Sequence, residues 1–250
     1  MTTFAKGALE PGFWLETANQ AACELAATAG YKFVLFDMEH GIISFKDLDY
    51  MVPFCRGMGL VAYARAACAE RLPIQQALDT GIDGIIIPQI ENLAHAKAAS
   101  TLTKYPPLGT RGMGYGRATA YGQVTPDLPE RDNKRVGCYI MIETAGALAD
   151  VDAIAALDTV DGLFMGPSDL SLSRGFGVYK GTDTDLAAVR TVAKAAQAND
   201  KAWGLPAMGE KALRLGKELD AHFVTVSSDR AAIAVGAKTH LDFTRSITQA

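Results

Sequence analysis

The sequence predicts an α/β protein folded as a (β/α)8 (TIM) barrel. Eight short apolar runs alternate along the chain with stretches of helical periodicity. The runs are apolar without alternation (FVLF, GIIIP, GLFMG), as strands are when helices cover a parallel sheet on both faces. The length of 250 residues is close to that of one such barrel. An open doubly wound sheet is the alternative with the same alternation.

The strands are expected at Gly12–Glu16, Phe33–Asp37, Val61–Arg65, Gly84–Pro88, Cys138–Glu143, Gly162–Gly166, Ala202–Pro206 and His222–Val226. Helices are expected at Ala18–Ala29, Ser44–Arg56, Leu72–Thr80, Leu93–Leu102, Leu148–Ala156, Asp185–Asn199 and Glu210–Leu219, with a last one over much of Arg230–Ile247. Ser44, Asn92 and Asp185 are suited to cap the helices they precede or begin. Thr103–Gly137 interrupts this rhythm with PPLGTRGMGYGRATAYG and a polar, proline-containing stretch. Long insertions in compact domains are often functional. With no repeat or linker to divide it, residues 1–250 read as one barrel domain.

Net charge is −4, with 49% apolar and 21% charged residues, so a soluble globular protein is expected, with no electrostatic case for nucleic acid or an anionic membrane. No run of 18 uncharged apolar residues could span a bilayer, and MTTFAKGALEPGFW lacks a signal-peptide core, so a cytoplasmic location is expected. Cys23, Cys55, Cys68 and Cys138 form no CxxC and are read as buried reduced thiols.

Barrel enzymes carry their chemistry at the C-terminal ends of the strands. There stand Asp37, Glu39 and His40 (FDMEHG), Arg65, Pro88 and Gln89, Glu143, Asp169 (GPSD), Pro206, Ser227 and Ser228. Glu143 and Asp169, on adjacent strand ends, suit a hard divalent cation such as Mg2+ or Mn2+; zinc is disfavoured without HxH, HExxH or CxxC. The alternative is a pair of solvated or salt-bridged acids. Arg65 suits bidentate binding of a carboxylate or stabilisation of an enolate, or else a salt bridge with Glu39 or Asp79. Histidine among carboxylates makes His40 a candidate general base. None of the twelve lysines ends a strand, which disfavours Schiff-base chemistry. GMGYG neither follows a strand nor opens a helix, and GPSDLS lacks a P-loop lysine, so nucleotide binding is disfavoured.

In the segments FDMEHG, AYARAACAERLPIQQALDTGIDGIIIPQIEN, KYPPLGTRGMGYGRA, MIETAGAL and VDGLFMGPSDLSLSRG, the chain resembles the HpcH/HpaI family of metal-dependent class II 2-oxo-acid aldolases. The resemblance runs from GFWLETAN to the eighth strand. It implies a barrel of the phosphoenolpyruvate/pyruvate-binding type. It implies Glu143 and Asp169 as metal ligands, with Mg2+, Mn2+ or Co2+ as the ion. Arg65 then contacts the oxo-acid, His40 is the base assisted by Asp79, Asp37 is a supporting acid, and the backbone of Gly166, Pro167 and Ser168 holds the substrate carboxylate. It further implies a homo-hexamer with the C-terminal helix exchanged between neighbours. The reaction implied is reversible cleavage of a 4-hydroxy-2-oxo-acid to pyruvate, or a related 2-oxo-acid, and an aldehyde through a metal-stabilised enolate, with oxaloacetate decarboxylation as a side activity. Met141 departs from the family's frequent Gln beside the metal site, and Ser168 from its frequent Ala, which leaves the substrate open. A lyase of the citrate-lyase β type would share the barrel and both carboxylates but calls for a basic cluster for coenzyme A, and no such cluster is visible along the sequence. A non-catalytic binding protein on the same scaffold is the third reading.

Overall fold

The computed structural model describes Phe4 and residues 8–249. Eight parallel strands form a closed barrel in chain order: β1 (Glu10–Leu15), β2 (Phe33–Asp37), β3 (Val61–Arg65), β4 (Gly84–Ile87), β5 (Gly137–Ile142), β6 (Gly162–Met165), β7 (Ala202–Pro206) and β8 (Phe223–Ser228). β1 pairs with both β2 and β8, which rules out the open sheet.

The strand pattern determines what reaches the catalytic rim. Successive residues of a strand point to opposite faces. Trp14, Phe33, Leu35, Tyr63, Ile86, Tyr139, Met141, Phe164 and Phe223 form one packed cluster with Phe4, separate from the larger core between strands and helices. Each is the inward member of its alternation. Continuing by two residues places Asp37 above Leu35, Arg65 above Tyr63, Glu143 above Met141 and Gly166 above Phe164. The polar site is thus the top rung of a hydrophobic column.

Helices cover the outside: α1 (Gln20–Ala29), α2 (Phe45–Gly57), α3 (Arg71–Asp79), α4 (Leu93–Thr101), α5 (Leu128–Arg135), α6 (Ala145–Ala149), α7 (Val151–Ala155), α8 (Pro167–Ser173), α9 (Asp183–Ala198), α10 (Glu210–Glu218) and α11 (Asp229–Thr248). Ser44 caps α2 in a reciprocal box with Asp47, and Asn92 caps α4. Asp185 is not a cap. Thr182 caps α9, and Asp185 is the third helical residue that bonds back to it. The single helix expected over Leu148–Ala156 is two short ones meeting at Asp150, whose carboxylate accepts from the Leu93 N–H. The insertion holds a 3-10 turn at Arg117–Gly122 and α5. Cys68 is exposed, contrary to expectation, because it lies in the loop after β3; Cys23, Cys55 and Cys138 are buried, and all four are free. Among the described residues no helix is long and apolar enough to cross a membrane.

Candidate active site

The β2–β3 register sets Asp37 directly opposite Arg65. Arg65 Nε donates to Asp37 Oδ1 at 3.0 Å and Nη2 to Oδ2 at 2.6 Å, a bidentate pair closed from solvent. Oδ1 also accepts the backbone N–H groups of Glu39 and His40, and Oδ2 accepts the indole N–H of Trp14 at 3.1 Å. Burial alone would raise the Asp37 carboxyl, but Arg65 and these donors hold it below the ordinary aspartate value. Asp37 is therefore a fixed anion that pins the loop carrying Glu39 and His40.

Arg65 Nη1 reaches Glu39 Oε2 at 2.9 Å, so the salt bridge weighed from sequence is formed. Burial raises the Glu39 carboxyl, with Asp37 and Asp169 adding to it against Arg65. His40 follows on an exposed position, its Nε2 3.9 Å from Glu39 Oε2.

Across the barrel mouth, Glu143 is 1% exposed. Its Oε1 accepts the backbone N–H of Gln89 at 2.6 Å. Gln89 presents that N–H from a left-handed conformation (φ 54°), which costs a non-glycine residue energy and marks a site held by its surroundings. Glu143 Oε2 is buried without a hydrogen-bond partner. Burial pushes the carboxyl up to about 7, and the charges of Glu39 and Asp169 act in the same direction. Asp169 stands in the first turn of α8, directly after β6. A Cβ on Gly166 would lie 2.6 Å from Glu143 Cβ, so only glycine lets β6 pass so close beneath this carboxylate. Met141 is buried against the same glycine.

Among the described residues the ion-pair partner of His40 is Glu39 and that of Asp79 is Arg111. Asp79 ends α3 in the outer layer, where its Oδ1 lies 3.7 Å from buried Arg111, and Gly114 and Gly116 of GMGYG pack against it. Burial raises its carboxyl. The glycine-rich segment thus serves loop packing here.

The sequence matches the profile of the HpcH/HpaI aldolase/citrate lyase family over residues 11–234. This chain belongs to that family. Among its HpcH/HpaI relatives, a 2-dehydro-3,6-dideoxy-6-sulfogluconate aldolase from Pseudomonas putida is 38% identical over 64% of this chain and 63% of its own length. The matched segment is thus less than two thirds of that relative. A 2-keto-3-deoxy-L-rhamnonate aldolase from Klebsiella pneumoniae is 33% identical over 90% of this chain and 84% of its own. A crystal structure of an HpcH/HpaI aldolase/citrate lyase family protein from Burkholderia cenocepacia superimposes with a TM-score of 0.88 at 29% identity, covering 96% of this chain and 95% of that one.

Two site features of this family member escaped sequence reading. The Gln89 N–H is a backbone group, and no residue type announces it. Trp14 had a signal, an aromatic with a polar edge at the end of the first strand, but strand one was read only as a strand. The fold also corrects the view that basic residues do not cluster. Arg56, Arg117, Arg131 and Arg135, distant in sequence, line one cavity of about 370 Å³. That cavity lies by Gly81 and Asp83, before β4, at the opposite end of the barrel from Glu143. Each arginine there already has an aspartate partner.

Proposed function

We propose that the protein is a divalent-metal-dependent class II aldolase that reversibly cleaves a 4-hydroxy-2-oxo-acid to pyruvate, or a related 2-oxo-acid, and an aldehyde. The observation that carries this reading is Glu143: a buried carboxylate with one oxygen unpartnered, beside the like-charged Asp169 and across from an anchored arginine. Such a carboxylate suits a cation, and the donor set of Glu143 and Asp169 is all oxygen, which fits Mg2+ or Mn2+ and next Co2+. Glu143 and Asp169 would hold the ion, and with no third His, Cys, Asp or Glu side chain converging on them among the described residues, water and substrate oxygens would fill its other positions. When bound, the ion supplies positive charge beside the oxygen on which enolate charge develops.

The remaining roles fall to the chain itself. Arg65, immobilised by Asp37, offers its free N–H groups to the oxo-acid and to the charge growing on its oxygen. Of the segment Gly166, Pro167 and Ser168 that opens α8, the backbone N–H of Ser168 is the donor for the substrate carboxylate, since Pro167 has none and that of Gly166 donates to the Ile142 carbonyl. His40, exposed at the mouth, takes the C3 proton and returns it to the new alkoxide. A base of that kind contributes about 10²–10⁴-fold. Asp79 is the residue proposed to assist His40; within the chain its ion-pair partner is Arg111, so that assistance belongs to the proposed oligomer. Oxaloacetate decarboxylation fits as a side activity because it passes through the same enolate. The Pseudomonas and Klebsiella relatives make 3-deoxy-2-oxo sugar acids the first substrates to assay.

We also propose a homo-oligomer, a hexamer by resemblance, with α11 exchanged between subunits. α11 leaves the barrel with Ile233, Val235, Leu241, Phe243 and Ile247 exposed. An apolar groove of about 320 Å³, lined by Phe13, Ala22, Leu25, Tyr31 and Ile233, lies at its root. A second copy's α11 fits both. Light scattering decides it: a monomer would contradict exchange.

The aldolase reading is tested by pyruvate release from a panel of 4-hydroxy-2-oxo-acids with Mg2+, Mn2+ or Co2+. Activity should vanish on chelation and return with metal; full activity in metal-free protein would overturn it. His40→Ala should slow C3 deuterium exchange of pyruvate, and an unchanged rate would remove His40 as the base.

A further inference from the structure

We propose that Trp14 is a positioning residue for the oxo-acid site, acting through Asp37 on Arg65; this rests on the aldolase reading above. Trp14 is the last inward residue of β1 and lies opposite Leu35 in the β1–β2 register, one rung below Asp37. Two contacts tie it to the site. Its indole N–H donates to Asp37 Oδ2, the same oxygen that receives Arg65 Nη2. Its ring lies under the guanidinium, 5.0 Å from Arg65 Cζ.

The geometry of Arg65 explains why this matters. A guanidinium has five N–H donors. Asp37 takes the donor on Nε and one on Nη2, and Glu39 faces Nη1 at 2.9 Å. Among the described residues one N–H of Nη2 and both of Nη1 stay outside these hydrogen bonds, and the plane of the guanidinium decides where they point. Asp37 sets that plane only if its own carboxylate cannot rotate. The backbone N–H groups of Glu39 and His40 hold Oδ1, and among the described residues the indole is the one donor besides Arg65 itself that holds Oδ2. The ring beneath closes one face of the guanidinium, so it cannot tip toward the barrel interior. Among the described residues no hydrogen bond joins Trp14 to Glu143 or Asp169, so its effect should appear in anion binding and leave metal affinity unchanged.

The test replaces Trp14 by 3-benzothienylalanine, which keeps the ring's shape and loses only the N–H, and by Phe (Trp14→Phe). Both are assayed by C3 exchange of pyruvate and by Mn2+ titration. The expected result is a KM for the oxo-acid raised about tenfold, a kcat changed less than threefold, and an unchanged Mn2+ affinity. In the Asp37→Asn background the benzothienyl substitution should add nothing further, because the two act on one path. A KM within twofold of wild type for both variants, or an effect of full size in the Asp37→Asn background, would overturn the proposal. If the wild type itself exchanges no C3 deuterium, the aldolase reading fails instead. The Trp14 claim is then decided by calorimetric affinity for oxalate, with the same tenfold loss expected and no loss overturning it.

Discussion

Asp37 and Glu143 occupy equivalent places, each two residues beyond an inward hydrophobic residue of its column, and their surroundings are opposite. Asp37 accepts five donors: two from Arg65, two from the backbone and one from Trp14. Glu143 accepts one, from Gln89, and keeps an oxygen with none. The first carboxyl is held below its ordinary value and the second is pushed up to about 7. A buried polar group without a partner costs stability, and proteins retain such groups where something else completes them. One rim thus holds a finished anion that orients an arginine and an unfinished one that is the proposed ligand of a cation.

The largest expected effect comes from removing the charge of the unfinished acid. Glu143→Gln should lower kcat/KM by about a thousandfold or more, since it removes a ligand of the proposed ion. It should also stabilise the metal-free protein at high pH. A carboxyl raised from 4.5 to about 7 contributes stability that is present below pH 4.5 and lost as the pH rises through about 7. That loss is on the order of 3 kcal/mol. The metal-free Tm of Glu143→Gln at pH 8 should therefore exceed that of wild type by about 5 °C. An inactive variant with a lower Tm would show that Glu143 is a structural acid.

Asp37→Asn should act in the opposite sense on stability. It leaves Arg65 charged, buried and unmatched on one side, a change that costs about 3–5 kcal/mol. Urea unfolding at pH 7 measures it, and a loss under 1 kcal/mol would show that Asp37 is not the hub its contacts suggest. Gly166→Ala is the mildest of the three. Its Cβ meets Glu143 Cβ and Oε2, and crowding of this kind costs about 1–3 kcal/mol. Mn2+ affinity should fall with it, and an unchanged affinity would place the metal elsewhere.

Much of this was legible in the residues. Eight apolar runs at barrel spacing located the strands, because burial on both faces removes polar residues from them. FDMEHG, VAYAR, MIET and GPSD fall at strand ends, so the membership of the rim could be read as well. What could not be read follows from geometry. Sequence weighed Glu39 or Asp79 as the partner of Arg65; that Asp37 faces it as well depends on the β2–β3 register, which no residue type encodes. The kink at Asp150 follows from a tertiary hydrogen bond to Leu93. The N–H aimed at Glu143 belongs to the backbone of Gln89, and Trp14 became visible only when β1 closed against β2.

The contrast between the two acids is tested most directly by titrating Mn2+ into the wild type and Glu143→Gln from pH 5 to 8, with proton release recorded. Wild-type affinity should weaken about tenfold per pH unit below pH 7, with close to one proton released per ion at pH 6. Glu143→Gln should bind weakly and without that dependence. Equal affinity of the two proteins, or binding without proton release below pH 7, would contradict the assignment of Glu143 as the acid that awaits a cation.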